Sequence, residues 1–465
     1  MSVREQRTAP GAGLVRRDLL AVGAVLVLEV VAWTVGDWLF RHGVDVHAAT
    51  PPLYAGWLPR VGPGSLAAVV VALLVVLRGP ALAARLPWRR LLSLGYLTSV
   101  AWTVALALID SWNPGIAGRL TESHEYLVEV PRVVGAPGEF LRTFTEHILA
   151  FQPGSFTTHV AAHPPLAVLL FAGMDRIGLG GGGPAGLLCI LIGASAPIAV
   201  AVVLRELGGP QGERLARAAL PFGVLAPAAI WVGVSADGMY AGVLAWAVAL
   251  LVLGGARPTL ALVSGLLFGC CLFFSYGLTL AGLLPLAVLA LTRRVRPILI
   301  AAVGVVAVAA VFAALGFWWF TGFGLVKQLY AQPLQFGSAD RPYAYWVWAA
   351  PGAFAVALGP ATVAGARRML AGAPRLLRAP AGWSAETREL VGARALTALA
   401  CAGLLAALLA DLSGMSRGES ERIWLPFAIW LIPTTALLPA RHARWWLLAQ
   451  AVVALTVNHL LNPPW

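Results

Sequence analysis

The stretch Asp110–Leu166 reads DSWNPGIAGRLTESHEYLVEVPRVVGAPGEFLRTFTEHILAFQPGSFTTHVAAHPPL. It carries Asp110, Glu122, Glu125, Glu129, Glu139 and Glu146, together with His124, His147, His159 and His163. Apolar sequence flanks it on both sides. Leu91–Ile109 leads in, and Pro164 and Pro165 lead out into another apolar run. Long loops without regular structure are uncommon in compact proteins unless they bind or catalyse. We therefore expect residues 110–183 to form a catalytic loop and the remaining chain to hold it.

The composition fixes the solvent of that scaffold. Of the 465 residues, 59% are hydrophobic and 12% charged, and the mean hydropathy is +0.80. Soluble domains carry about 25% charged residues, so a water-soluble fold is excluded. Apolar runs of roughly 17 residues or more recur, which is the mark of a polytopic helical membrane protein. They do not alternate as barrel strands would. The net charge of +12 comes from arginines clustered in short loops, so topology accounts for it and nucleic acid does not. Lys327 is the single lysine, and the four cysteines lie inside apolar runs without metal-ligand spacing. They read as small core residues.

Taken in order, residues 1–17 form a cytoplasmic tail and 18–109 the N-terminal spans. The first run is too long for a signal-peptide core and reads as a signal anchor. The outer loop 110–183 follows, and 184–465 supply the remaining spans. Within the loop, Pro165–Gly180 is apolar but contains Asp175 and Arg176. Charges at mid-bilayer are costly, so this run is expected to lie along the outer surface. Spans are then expected near 185–204, 218–234, 239–254, 259–274, 278–291, 298–320, 344–364, 395–410, 423–438 and 446–461. The total is about 13. Arg85, Arg89, Arg90, Arg205, Arg214, Arg217, Arg257, Arg293, Arg294, Arg296, Arg367 and Arg368 fall in inner loops. The N-terminus is expected inside and the C-terminus outside. Thr321–Tyr343 and the Asp411–Arg422 segment become outer loops.

Several polar residues on the outer side are candidates for chemistry. Asp110 ends a span, as either an interfacial anchor or a general base whose basicity apolar walls would raise. If LTESHEYLVEVPRV is helical, Glu122, Glu125 and Glu129 share one face, either solvated or facing a site. His163 stands before two prolines that fix the start of a helix. The same prolines interrupt the helix that His159 and His163 would need to bind a metal as a pair. Asp237, in SADG, is either a helix cap or a site acid. In RGESER, Arg417 and Arg422 present forks suited to phosphate oxygens. Lys327 is a further phosphate candidate. Neither a P-loop nor a dinucleotide fingerprint is present.

Four features in order make the chain resemble the GT-C superfamily of membrane glycosyltransferases, which includes protein O-mannosyltransferases and aminoarabinose transferases. They are an acid-to-tyrosine segment in an outer loop (Glu122 to Tyr126), a closing HPPL at His163–Leu166, a second short outer loop with Asp237, and a late outer loop carrying arginine. The match is good over roughly residues 110–255 and loose beyond. Two features depart from the family. The acidic loop follows the third span, not the first. The usual adjacent acid pair is replaced by Glu122-Ser123-His124-Glu125. The resemblance implies an all-α GT-C-like fold in the cell membrane and transfer, with inversion, of a hexosyl (mannosyl) or pentosyl group. The donor would be a polyprenyl-phosphate sugar and the acceptor a glycan, lipid or protein on the outer face. It implies Asp110, Glu122 and Glu125 as catalytic, and His124, Tyr126, His163, Asp237, Lys327, Arg417 and Arg422 as substrate-binding. It leaves a divalent metal open. A secondary transporter would need polar groups on broken helices at mid-membrane, and these runs show few. A non-catalytic membrane assembly protein leaves the acid-rich loop unexplained.

Overall fold

In lipid, an apolar run must satisfy its own backbone N–H and C=O groups, and helix is the form that does so. The structure, a computed structural model, describes residues 12–332, 341–378 and 385–463. Among them, seven helices are long and apolar enough to cross a bilayer: Gly13–Arg41, Gly64–Arg85, Trp88–Asp110, Gly182–Val224, Ala236–Leu253, Val295–Ala314 and Leu390–Leu412. The pair Tyr343–Leu358 and Pro360–Leu376, bent by 110°, makes an eighth if it is one broken span. Shorter apolar helices occupy Pro258–Phe274, Tyr276–Thr292 and Leu425–Leu437, and Ala443–Leu460 is helical as well. The chain is thus an all-α, multi-pass membrane protein. The one sheet among the described residues pairs Gly56–Trp57 with Leu461–Asn462.

The helical stretch Gly182–Val224 has 43 residues, roughly 65 Å if straight and about twice the hydrocarbon thickness. It is not straight. Gly209 takes φ 55°, ψ −139°, and Pro210 follows. A Cβ on Gly212 would lie 2.0 Å from the Leu204 carbonyl oxygen, although eight residues of straight helix span about 12 Å. Arg205 Nε reaches Glu213 Oε2 at 3.1 Å across the same bend. The run is a hairpin of two helices, as its central arginines predict. The second arm stops at Val224. The expected run to 234 is completed by a separate short helix, Ala229–Val232.

Small residues let other helices meet at backbone contact, the usual means of association where lipid removes the hydrophobic drive. A Cβ on Gly265 would lie 2.0 Å from the Ala301 oxygen, and one on Gly304 would lie 2.7 Å from Leu262 O. Helices Pro258–Phe274 and Val295–Ala314 therefore touch without side chains between them.

Polar contacts sort to two ends of the molecule. At one end, Arg368 grips the buried Asp18 with Nε–Oδ2 at 2.9 Å and Nη2–Oδ2 at 2.6 Å. Arg367 adds a contact to Asp18 at 2.8 Å. Arg217 donates to the carbonyls of Ala83 and Leu86, and Gln211 accepts from Gly392. These contacts join predicted inner segments in pairs: residue 18 with 367–368, 83–86 with 217, and 211 with 392. At the other end, Asp110 is joined to Arg60 and Arg119, whose guanidiniums donate to Leu461 O and Pro463 O. The C-terminal segment therefore sits beside Asp110.

Two predicted loops differ. Thr321–Tyr343 is not all loop, because Trp319–Ala331 is helical; residues 333–340 lie outside the described residues. The predicted inner loop from Arg367 is helical through Arg378. Residues 379–384 lie outside the described residues. Pro165–Gly180 contains the helix Leu166–Arg176, about 16 Å long and too short to cross.

Candidate active site

The stretch 120–133 does not form the continuous amphipathic helix expected of it. It breaks into 3₁₀ turns at Arg119–Thr121 and Tyr126–Glu129, then helix Val130–Gly135. Glu122 and Glu125 have extended ψ values of 153° and 174°. With turn residues between them in place of a continuous helix, the three acids no longer share one face. Glu122 is exposed and Glu125 is buried. Glu129 is buried, and its Oε1 accepts the Thr157 N–H at 3.0 Å.

Glu125 turns inward because cations await it. Its Oε1 lies 2.9 Å from His159 Nδ1 and 4.0 Å from Arg422 Nη1. Burial alone would raise its pKa; His159, Arg422 and His124 outweigh burial and hold the carboxyl below its ordinary range. Tyr126, next in sequence, is buried, and its hydroxyl accepts from the Tyr240 hydroxyl at 3.0 Å. Burial and the neighbouring Asp237 push its phenol well above the ordinary value.

Arg422 is the hub. It is 5% exposed and brings three separate parts of the chain together. Its Nη2 bonds Glu419 Oε2 at 2.7 Å, its Nε stands 3.6 Å from Asp237 Oδ2, and Nη2 is 3.4 Å from His159 Nε2. Arg341 contacts the other Glu419 oxygen at 3.3 Å. Burial would raise Glu419, but Arg422 and Arg341 hold it at about 2. Next to it, Glu421 accepts the Tyr54 N–H at 2.9 Å, fixing the first outer loop. Burial pushes that carboxyl up to about 7.

Asp237 was open to a capping role. Ser235 takes that role, its Oγ accepting from Gly238 N at 3.1 Å. The Asp237 carboxylate is thereby left to face the cavity. His163 caps the short helix Thr158–Ala162. Its Nδ1 must donate to the His159 carbonyl, 2.9 Å away, because a carbonyl only accepts. Nε2 is then the acceptor. Burial, followed by the charge of His159, pushes His163 down to about 4, so its ring is neutral at physiological pH.

These groups converge on a cavity of about 570 Å³. His124, His163, Asp237, Arg417 and Arg422 line it, as do His159, Tyr240, Arg341 and Glu419. Tyr276, Leu280, Phe323, Val326 and Leu409 supply an apolar and aromatic wall. Glu125 and Tyr126 stand directly behind that lining, against His159 and Tyr240. Three predicted residues are elsewhere. Asp110 lies off the cavity, locked between Arg60 and Arg119. Glu122 is exposed away from it. Lys327 is exposed on helix Trp319–Ala331, whose Val326 and Tyr330 face the cavity instead. Sequence reasoning missed Arg341 and Glu419. Glu419 lay in the quoted RGESER, but nothing local distinguishes it from a solvated acid.

Correctly inserted Glu122→Gln protein is expected to keep its stability and activity. Asp110→Asn is expected to lower the melting temperature, since the buried Arg119 and the partly buried Arg60 lose their counter-charge. A buried pair broken on one side costs about 3–5 kcal/mol. Thermal unfolding in detergent reads both; an unchanged Asp110→Asn melting point would contradict the anchoring role.

The donor set does not fit a divalent cation. Among the described residues, no three His, Cys, Asp or Glu side chains are placed to share one. Asp237, Glu125 and His159 are instead turned toward Arg422.

No protein-family model and no curated protein matches the sequence. Among solved structures, the chain is similar to the Archaeoglobus fulgidus oligosaccharyltransferase complexed with zinc and sulfate, at 17% identity and a TM-score of 0.48. The similarity covers 79% of this chain and 53% of that one, so the chain spans about half the length of the structure it matches.

Proposed function

We propose that the protein is a GT-C-type glycosyltransferase that moves a sugar from a polyprenyl-phosphate carrier to a hydroxyl acceptor on the outer face. The observation that carries this reading is the single cavity in which the buried Arg422 and the partly buried Arg341 present guanidiniums and Arg422 meets the carboxylate of Asp237 beside an apolar wall. Guanidinium forks suit phosphate oxygens. A carboxylate suits removal of a hydroxyl proton. The apolar wall suits the first isoprene units of a lipid.

In this mechanism Asp237, and not Asp110 or Glu122, is the base. The acceptor oxygen attacks the anomeric carbon from the face opposite the phosphate, giving inversion. Its proton passes to Asp237. The carbon–oxygen bond to phosphate breaks, and its electron pair stays on the phosphate oxygen, where Arg422 and Arg341 stabilise the charge. His163 Nε2 and His124 are available to orient the acceptor. Glu125 acts through His159 as a positioning residue. Arg417, which also lines the cavity, remains an auxiliary cation toward the donor headgroup, whereas Lys327 lies outside it.

The deciding experiment is an in-membrane transfer assay with a panel of polyprenyl-phosphate hexoses and pentoses. Transfer from one of them is the expected result. No transfer from any, by correctly inserted protein, would overturn the proposal.

The same reading puts the cavity outside and the Asp18–Arg368 end inside. Cysteine at Ser413 should label from the outer side of sealed cells, and cysteine at Gly372 only after permeabilisation. The reverse pattern would invert the topology and place the cavity on the cytoplasmic side.

A further inference from the structure

The carboxylate of Glu419 bridges the two guanidiniums of the cavity. Oε2 takes Arg422 Nη2 at 2.7 Å, and Oε1 takes Arg341 Nη1 and Nη2 at 3.4 and 3.3 Å. One oxygen per guanidinium is also how the two non-bridging oxygens of a phosphodiester would sit. We propose that Glu419 is an internal placeholder for the donor phosphate, occupying the Arg341–Arg422 subsite when the cavity is empty and yielding it when a lipid phosphate enters. This deepens the glycosyltransferase reading and rests on it for the identity of the lipid phosphate.

Two independent features support exchange over simultaneous occupation. The first is charge. Around Arg422 and Arg341 stand three carboxylates, Glu419, Asp237 and Glu125. A phosphodiester added to that cluster would be a fourth anion facing two guanidiniums in a buried site. If it replaces Glu419, the balance of one carboxylate is exchanged for one phosphodiester and the cluster is unchanged. The second is the backbone. Glu419 has φ 59°, a left-handed conformation that side-chain-bearing residues avoid. Gly418 before it has φ 87°. Such a conformation persists where surrounding contacts impose it, and the contacts here are the two guanidiniums on the carboxylate and the Arg422 and Ile423 N–H groups on the carbonyl. Ser420, next in line, is anchored by its Oγ to Ala350 O at 2.7 Å. The Glu419 carbonyl accepts the N–H groups of Arg422 and Ile423 at 3.0 and 2.9 Å, so the exchange is a rotation of the Glu419 side chain and Arg422 keeps its place. After transfer, return of Glu419 to the pair would expel the spent lipid phosphate.

The test is Glu419→Gln in the full chain, with farnesyl phosphate as the binding probe in detergent and the accepted donor in membranes. The substitution keeps the shape and removes the competing charge. If the native carboxylate holds the subsite nine-tenths of the time, farnesyl phosphate affinity should rise about tenfold. Donor KM should fall, and inhibition by product phosphate should tighten. Glu419→Asp, which retains the charge but withdraws the carboxylate, should bind more tightly than the parent by a smaller factor, and it carries the test if the glutamine variant does not fold. Unchanged or weaker binding by both variants would overturn the placeholder and leave Glu419 as a residue that merely positions Arg422. Failure of farnesyl phosphate to bind parent and variants alike also overturns it. The transfer assay, which needs no variant, decides the glycosyltransferase reading separately.

Discussion

Arg422→Ala should abolish transfer and destabilise the fold together. The side chain is almost fully buried and faces Glu419, Asp237 and Glu125. Removing it leaves three carboxylates in one desolvated cluster with only Arg341 close by. Breaking a buried ion pair from one side costs about 3–5 kcal/mol, a large part of the roughly 5–15 kcal/mol by which proteins are stable. Arg422→Lys separates the two effects. Lysine keeps the charge but has no planar fork, so stability should recover more than activity does. The check is a pair of measurements on each variant, melting temperature in detergent and donor kinetics. A parent-like melting point together with a parent-like rate for Arg422→Ala would remove Arg422 from both roles.

Asp237→Asn should lower kcat by about 10²–10⁴-fold, the usual cost of losing a positioned base. The amide keeps the shape, and Ser235 rather than Asp237 caps the helix, so the fold should survive. Donor KM should change little, because Arg341 and Arg422 still face the phosphate. Glu125→Gln provides a contrast. That carboxylate reaches the cavity through His159 at 2.9 Å and Arg422 at 4.0 Å, so its loss should act on both kcat and KM and more weakly on the chemical step. If Asp237→Asn turned over at the parent rate, proton removal would have to be assigned to another group lining the cavity.

Much of the architecture was readable because lipid imposes a strict rule. An apolar run must be helical to satisfy its backbone, so the positions of helices follow from hydropathy. The reversal at Gly209–Pro210 was foreshadowed by Arg205, Arg214 and Arg217, charges that cannot remain at mid-bilayer. The short helix Leu166–Arg176 was foreshadowed by Asp175 and Arg176 in the same way. Where apolar content drops, the rule weakens. The helix Trp319–Ala331 was therefore read as loop.

The candidate site was legible as residue types but not as a constellation. Hydropathy and charge place Glu122, Glu125, Asp237 and Arg422 on the same side of the membrane, and the His163-Pro-Pro sequence ties down one wall. Sequence by itself thus determined an all-α, multi-pass protein with an acid-rich segment between apolar helices. It could not rank the acids, since Glu122 and Glu125 differ by three positions and by nothing in their type. The break of the helix into turns leaves one exposed to solvent and turns the other to His159 and Arg422. Asp110 looked equally fit as a base until Arg60, 50 residues earlier, and Arg119 closed on it. Only the tertiary structure decided these matters. The energy of a buried charge depends on which partners lie within a few ångströms, and here those partners come from segments as distant as Glu125 and Arg422.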